Sequence, residues 1–156
     1  MNGKRSAGEK PKQHGILYYL GVGLSAGLLA FVMLVGTLVI VVPAATGSTP
    51  LTVLTSSMEP TLPPGTLIIV KPAEPSDIRV GEVMTYQLES GKAVYVTHRV
   101  TAKSTSSNGE VAFTTKGDNN DVEDPAAVRE VQILGEVWYS VPWVGYINNM
   151  VGGNRG

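Results

Sequence analysis

The 156-residue chain has no cysteine, which excludes disulfide bonds, thiol catalysis and cysteine-ligated metal. Histidine is scarce too, with only His14 and His98. Charged side chains make up 16% of the residues and hydrophobic ones 43%, which is apolar for a freely soluble protein. Few side chains can therefore serve as a base near neutral pH, and part of the chain must be strongly apolar.

Charge is missing altogether from residues 16–42, a run of 27 positions. As a helix rising about 1.5 Å per residue, this run exceeds a bilayer core of roughly 30 Å, which predicts a tilted transmembrane helix. The alternative is a cleaved signal peptide, for which Val42-Pro43-Ala44 offers a small-residue cleavage site. The apolar region of a signal peptide is normally about 7–15 residues, so the length favours an uncleaved anchor in the lipid bilayer.

Basic residues flank only the N-terminal side of this run. One acidic residue, Glu9, precedes it, and after it no Lys or Arg occurs before Lys71. The basic residues before the run are Lys4, Arg5, Lys10 and Lys12. The positive-inside rule therefore predicts a cytoplasmic stub over residues 1–15 and a single-pass protein of the cell membrane, with all that follows outside the cytoplasm.

The chain after the basic stub is acidic. Residues 13–156 contain eight basic and twelve acidic residues, a net charge of −4. A domain of that sign is unsuited to a nucleic-acid backbone, so we expect no nucleic-acid partner. Within the anchor, Gly23 and Gly27 form a GxxxG spacing that allows weak homo-oligomers.

The pattern after the anchor is typical of β-structure. Residues 43–50 are small and turn-forming, which predicts a linker. Beyond them, β-branched and aromatic runs separated by turn signals predict strands at residues 66–70, 82–88, 93–101 and 110–115. Ser90-Gly91 and residues 104–109 predict two antiparallel hairpins.

A last apolar stretch, residues 131–144, is interrupted by Gly135, Glu136 and Pro142. These interruptions favour one or two strands closing the sheet over a second transmembrane helix. The expected fold is therefore mainly β, with one N-terminal transmembrane helix followed by an extracytoplasmic β-rich domain over residues 51–156.

Candidate chemistry begins with His98, the only histidine beyond the anchor, in a predicted strand. Taken alone, a strand histidine is more often packed than catalytic, although histidine is the usual general base near neutral pH. Ser57 follows the apolar run of residues 51–54 and precedes a turn-forming Glu59-Pro60. By composition alone this segment is an ordinary Ser/Thr-rich loop.

Residues 117–125 form an acidic loop that could orient an imidazole, bind a cation or merely remain solvated. Its acidic residues are Asp118, Asp121, Glu123 and Asp124. An EF-hand is excluded, because counting from Asp118 places Val122 and Glu123 where a ligand and a glycine are required. We expect neither a metal site nor a cofactor.

Three segments together resemble type I signal peptidases. Ser57-Met58-Glu59-Pro60-Thr61 is similar to their nucleophile box. Thr97-His98-Arg99-Val100 is similar to a second box, where most bacterial members have lysine. Histidine occurs there in the branch containing the endoplasmic-reticulum catalytic subunit, with archaeal and some Gram-positive relatives. Lys116-Gly117-Asp118-Asn119-Asn120, followed by Asp124, resembles the last box of that branch.

The resemblance extends over about residues 51–146 and departs from the family at Ser56, where glycine is common. It implies a Ser-His-Asp triad. A serine hydroxyl needs a base to become nucleophilic, and His98 would serve Ser57 in that way. By resemblance Asp124 would orient the imidazole and Asp118 would support the loop. The oxyanion donors would be the Ser57 amide and, by resemblance, the Thr55 hydroxyl.

The sequence thus predicts signal peptidase I activity, meaning a membrane-bound serine endopeptidase that removes N-terminal signal peptides from exported preproteins. Such an enzyme works in protein secretion at the outer membrane face, with preproteins and the bilayer as its partners. The alternative is a membrane-anchored β-domain that binds a partner without proteolysis.

Overall fold

The computed structural model describes residues 15–142 and divides the chain into two units between Thr37 and Leu38. Helix α1 spans Ile16–Gly36, followed by a π-helical turn over Thr37–Val41 and helix α2 over Val42–Thr46. The helical residues Ile16–Thr46 are long and apolar enough to cross a membrane. Of the predicted domains, residues 1–14 of the stub and 143–156 of the β-rich domain lie outside the described residues.

The limits of the helical segment differ from those predicted. Helical residues continue to Thr46, whereas the sequence predicted an end at Val42 and a linker over residues 43–50. The Thr46 hydroxyl donates to the Val42 carbonyl at 2.8 Å. Gly47 follows with φ of 67°, a left-handed conformation that closes a helix at little cost for glycine.

Within residues 15–142, seven antiparallel strands form one sheet, which confirms the mainly-β prediction. The strands are β1 Thr49–Thr52, β2 Leu67–Lys71, β3 Val83–Gln87, β4 Tyr95–Thr105, β5 Val111–Lys116, β6 Val128–Arg129 and β7 Ile133–Val141. Their order across the sheet is β1-β2-β7-β3-β4-β5-β6. Both predicted hairpins, β3–β4 and β4–β5, are present.

The last strand, β7, lies between β2 and β3 and joins the two halves of the sheet. Gly135 has φ of 154°, and a Cβ there would lie 2.1 Å from the Lys71 carbonyl oxygen. Only glycine fits this approach, so the residue that seemed to interrupt the apolar run allows the strand to pass through the sheet centre. In its described part, residues 131–142, the stretch contains one strand, which was one of the two predicted outcomes.

Among the described residues, two apolar clusters stabilise the sheet. The first consists of Ile78, Met84, Tyr86, Val100, Phe113 and Val128. The second consists of Val53, Met58, Leu62, Ile68 and Val70. Each cluster removes large side chains from water, which is the main favourable term in folding. Both clusters support the candidate site. Met58, which follows Ser57, belongs to the second, and Tyr86, whose hydroxyl donates to Asp124, belongs to the first.

Candidate active site

Ser57 lies on a turn that is fixed by its neighbours. Val53 exchanges backbone hydrogen bonds with the next segment, donating to the Thr66 carbonyl at 2.9 Å and accepting from Gly65 at 2.8 Å. Met58, next to the serine, is 1% exposed and packs in the second apolar cluster. Ser57 itself stays partly exposed. The buried Met58 side chain therefore anchors the turn and leaves the serine next to it accessible.

His98 comes from the middle of β4, opposite Met84 of β3. Side chains alternate along a strand, so His98 shares a face with Val96 and Val100, which pack in the first cluster. His98 is 8% exposed. A rigid strand and apolar neighbours therefore fix the ring.

The structure brings Ser57, His98 and Asp124 together. His98 Nε2 lies 3.2 Å from Ser57 Oγ, and His98 Nδ1 lies 2.6 Å from Asp124 Oδ2. With Nδ1–H donating to the carboxylate, the lone pair of Nε2 faces the serine hydroxyl. Residues 41 and 26 positions apart in the chain thus form one hydrogen-bonded series.

Asp124 accepts two further hydrogen bonds at the same oxygen. The hydroxyls of Thr115 and Tyr86 donate to Oδ2 at 2.6 Å and 3.1 Å. Burial of Asp124 opposes its charged form, but the hydrogen bonds from His98, Thr115 and Tyr86 outweigh it. The pKa of Asp124 therefore lies below its ordinary value of 3.8, so the carboxylate is charged at neutral pH.

The loop before Asp124 holds the serine turn from the other side. Asn119 donates its backbone N–H to the Ser57 carbonyl at 2.9 Å and its amide to the Ser56 carbonyl at 3.2 Å. A Cβ on Gly117 would lie 2.5 Å from the Ser57 carbonyl oxygen, closer than real contacts allow. Gly117 therefore permits the loop and the serine turn to pack backbone against backbone.

Asp118 is hydrogen-bonded to Arg99, whereas Asp124 is hydrogen-bonded to His98. Its carboxylate binds Arg99 in a bidentate pair, with Nε at 2.8 Å and Nη2 at 2.6 Å. Arg99 also donates to the Gly81 carbonyl at 2.7 Å. The hydrogen bonds from Arg99 lower the pKa of Asp118 below its ordinary 3.8.

The remaining predicted residues are placed as follows. Thr55 Oγ1 lies 3.2 Å from Ser57 Oγ, so its hydroxyl is at the site. Asp121 and Glu123 are exposed. Lys103, which is not a predicted site residue, donates to the carbonyls of Pro75, Ser76 and Ile78 at 2.9, 2.8 and 3.0 Å. No group of His, Asp and Glu suited to a metal occurs within residues 15–142.

A cleft of about 530 Å³ opens at Ser57 and His98. One wall consists of residues 51–55 with Met58, and the other of residues 93–97. The backbone groups of Val94 and Val100 form hydrogen bonds to the segment that contains β3. Because backbone N–H and C=O groups point to alternate sides along a strand, those of Tyr95 and Thr97 point away from β3. In the described residues the pairing of β4 with β5 begins at Arg99, which leaves residues 95–97 of β4 available to an extended peptide.

A serine, an imidazole and a carboxylate joined in this order, beside a cleft, form the arrangement of a serine hydrolase. The chain's relatives narrow the class further. It is 33% identical over 102 residues to "Signal peptidase complex catalytic subunit SEC11C" of Canis lupus familiaris, covering 61% of this chain. It is 34% identical over 108 residues to the human "Putative signal peptidase complex catalytic subunit SEC11B", covering 64%.

A fungal relative, "Signal peptidase complex catalytic subunit SEC11" of Eremothecium gossypii, is 32% identical over 111 residues, or 66% of this chain. The aligned regions cover 53%, 64% and 65% of the three relatives, so the chain spans about half the length of SEC11C. No protein-family model matches the chain. These homologues confirm the resemblance to the endoplasmic-reticulum branch of type I signal peptidases.

Two residues at the site were not predicted from the sequence, Tyr86 and Thr115. Thr115 directly precedes the Lys116-Gly117-Asp118 motif, and Tyr86 belongs to a predicted strand. Their place at the site follows from the register of three strands. Tyr86 of β3 pairs with Val96 and Thr115 of β5 pairs with Val100, and these are the residues on either side of His98 on the same face of β4. No sequence motif signals that register.

Proposed function

We propose that this chain is a membrane-anchored serine endopeptidase that removes signal peptides from exported preproteins. The observation that carries the proposal is the hydrogen-bonded series Ser57–His98–Asp124 in a chain homologous to signal peptidase catalytic subunits. Together the three side chains provide the nucleophile, the general base and the orienting carboxylate that acyl transfer needs.

In the proposed mechanism Ser57 Oγ attacks the carbonyl carbon of the scissile peptide bond as its proton passes to His98 Nε2. Asp124 stabilises the charged imidazole that results. The C–N bond then breaks, and the imidazole returns the proton to the departing amine. This leaves the signal peptide attached to Ser57 Oγ as an ester. Water then attacks the ester carbonyl carbon as its proton passes to His98 Nε2. The ester bond breaks, the imidazole returns the proton to Ser57 Oγ, and the signal peptide leaves as a carboxylic acid.

The tetrahedral intermediate carries a negative oxygen that requires donors. The Ser57 backbone N–H and the Thr55 hydroxyl are the proposed pair, since Thr55 Oγ1 lies 3.2 Å from the nucleophile. Preorganised donors of this kind typically account for a large part of the rate enhancement.

The cleft suits an extended peptide with small side chains. A substrate strand would pair with the backbone groups of Tyr95 and Thr97 and would run past Ser57. Val94, Val96 and Leu51 line the cleft and make its walls apolar. Small residues such as alanine just before the cleaved bond would fit between these walls.

The anchor would bring the enzyme to its substrate. Helix α1 exposes large apolar side chains such as Leu24, Leu28 and Phe31, which favours a lipid environment. We propose that the helix crosses the cell membrane once, with residues 1–15 in the cytoplasm and the β-rich domain outside, where a signal peptide's cleavage site emerges. Self-association through Gly23 and Gly27 stays a prediction.

The first test is cleavage of a preprotein by the full chain in detergent, with the product's new N-terminus read by mass spectrometry. Ser57→Ala should abolish cleavage, whereas Ser56→Ala should keep most of it, because Met58 fixes which hydroxyl faces His98. A serine-reactive phosphonate should label the wild-type chain and Ser56→Ala but not Ser57→Ala. Absence of both cleavage and labelling would favour a binding domain without proteolysis.

A further inference from the structure

The Tyr86 side chain lies in the core yet ends at the candidate site. Tyr86 is 4% exposed and packs in the first apolar cluster with Met84, Val100 and Phe113. A buried phenol hydroxyl needs a hydrogen-bond partner. The hydroxyl donates to Asp124 Oδ2 at 3.1 Å, and Thr115 Oγ1, whose own proton goes to the same carboxylate oxygen, lies 3.3 Å away.

Asp124 itself stands on a loop, whereas all three donors to its Oδ2 stand on strands. Tyr86 is on β3, His98 on β4 and Thr115 on β5. The backbone N–H of Asp124 is also held, by the Thr115 carbonyl at 2.8 Å. A loop carboxylate is thus fixed against three neighbouring strands of the sheet, and Tyr86 supplies the contact from β3.

Burial first, and the nearby charge of Asp124 in addition, raise the pKa of Tyr86 to about 12. The phenol therefore keeps its proton at neutral pH and donates it to the carboxylate. A ring with two rotatable angles, packed among apolar side chains, also holds that donor in one place.

We infer that the Tyr86 hydroxyl is a positioning residue that holds the Asp124 carboxylate against His98 Nδ1. The inference rests on the proposed function, since its kinetic effect requires that His98 and Asp124 act in catalysis. Tyr86 is 4% exposed and its hydroxyl donates to Asp124. Its effect is exerted through the orientation of Asp124 and hence of the imidazole.

The test compares Tyr86→Phe with Tyr139→Phe in the full chain. Phenylalanine keeps the packed ring and removes only the hydroxyl. Tyr139 is the matched control, because its hydroxyl donates to the Leu38 carbonyl and not to the site. For preprotein cleavage Tyr86→Phe should lower kcat about tenfold with KM unchanged, as expected when one of three donors to a carboxylate is lost. Tyr139→Phe should keep kcat.

A second readout does not depend on activity. The chain has two histidines, so a His14→Gln background leaves His98 as the only imidazole signal in a proton NMR spectrum. Its Nδ1 proton, held by a charged acceptor at 2.6 Å, should resonate far downfield and should shift in Tyr86→Phe but not in Tyr139→Phe.

Unchanged kcat together with an unmoved Nδ1 resonance in Tyr86→Phe would overturn the inference. So would a loss of rate explained by the unfolded fraction alone, measured by circular dichroism at the assay temperature. If the wild-type chain cleaves no preprotein, the proposed function fails, and the resonance still decides whether Tyr86 holds Asp124.

Discussion

The two ends of the loop over residues 117–124 carry aspartates that differ in what holds them. Asp124 accepts hydrogen bonds from one imidazole and two hydroxyls, whereas Asp118 binds the fork of Arg99. Both have a lowered pKa. A lowered pKa therefore does not distinguish a triad carboxylate from a structural ion pair, and the partner of each carboxylate must decide.

The difference follows from where each partner lies on β4. Adjacent strand residues point to opposite faces, so His98 and Arg99 emerge on different sides of the sheet. Asp124 reaches His98 on one face and Asp118 reaches Arg99 on the other. Gly117 and Asn119 hold the same loop to the serine turn. The loop is thus fixed on both faces of β4, with one end for chemistry and one for anchoring.

The largest effect that would sharpen this comparison is expected for Asp124→Asn. An amide cannot stabilise the charged imidazole and favours the wrong tautomer, so cleavage should fall by about 10⁴ in kcat, as in other serine triads. Preprotein cleavage and the melting temperature should be measured together, because a folded but inactive variant is required. Near-normal cleavage by Asp124→Asn, with an inactive Asp118→Asn, would reverse the two assignments.

A smaller and pH-dependent effect is expected for Asp118→Asn. Its pKa is depressed in the folded state by Arg99, so the stabilisation is present above the unfolded value of about 3.8 and is lost as pH falls through the folded pKa. At pH 7 the variant should lose about 1–2 kcal/mol of unfolding free energy, since the Arg99 side chain is one third exposed and screening weakens the pair.

The measurement for Asp118 is urea unfolding at pH 7 and at pH 3. The gap between wild type and Asp118→Asn should narrow at pH 3, while cleavage at pH 7 should fall about 10- to 100-fold through displacement of the loop. A gap that widens on acidification would contradict the ion pair as the source of the stability.

Much of the fold could be predicted from alternation and turn residues. Strands β2, β3 and β5 lie within about a residue of their predicted limits, because each joins a β-branched run to a clear turn. Strand β1 was not predicted, since Thr49–Thr52 is short, partly polar and contains Pro50. Proline is tolerated there because, among residues 15–142, β1 is an edge strand whose one partner is β2.

The site was predictable only in part. The motifs around Ser57, His98 and Asp124 pointed to the residues that the fold brings together. Tyr86 carries no such motif, because its relation to Asp124 depends on the pairing of β3 with β4 and on the path of a loop. Arg99 belongs to the Thr97-His98-Arg99-Val100 motif, yet its pairing with Asp118 follows from the face of the sheet on which the Arg99 side chain lies.

The smallest effect is expected for the middle of the loop, at Asp121 and Glu123. Both side chains are exposed, and no ion pair is found for either within residues 15–142. Exposed charges without a fixed partner contribute little to stability, so Asp121→Asn and Glu123→Gln should stay within about 0.5 kcal/mol of wild type. Their cleavage rates should also stay within about twofold, since neither side chain orients His98. Measured beside Asp118→Asn and Asp124→Asn, these variants test whether the two ends of the loop act through specific partners. A large loss of cleavage in either middle variant would show that the negative charge of the whole loop acts on the imidazole, and the division of the loop into two ends would then fail.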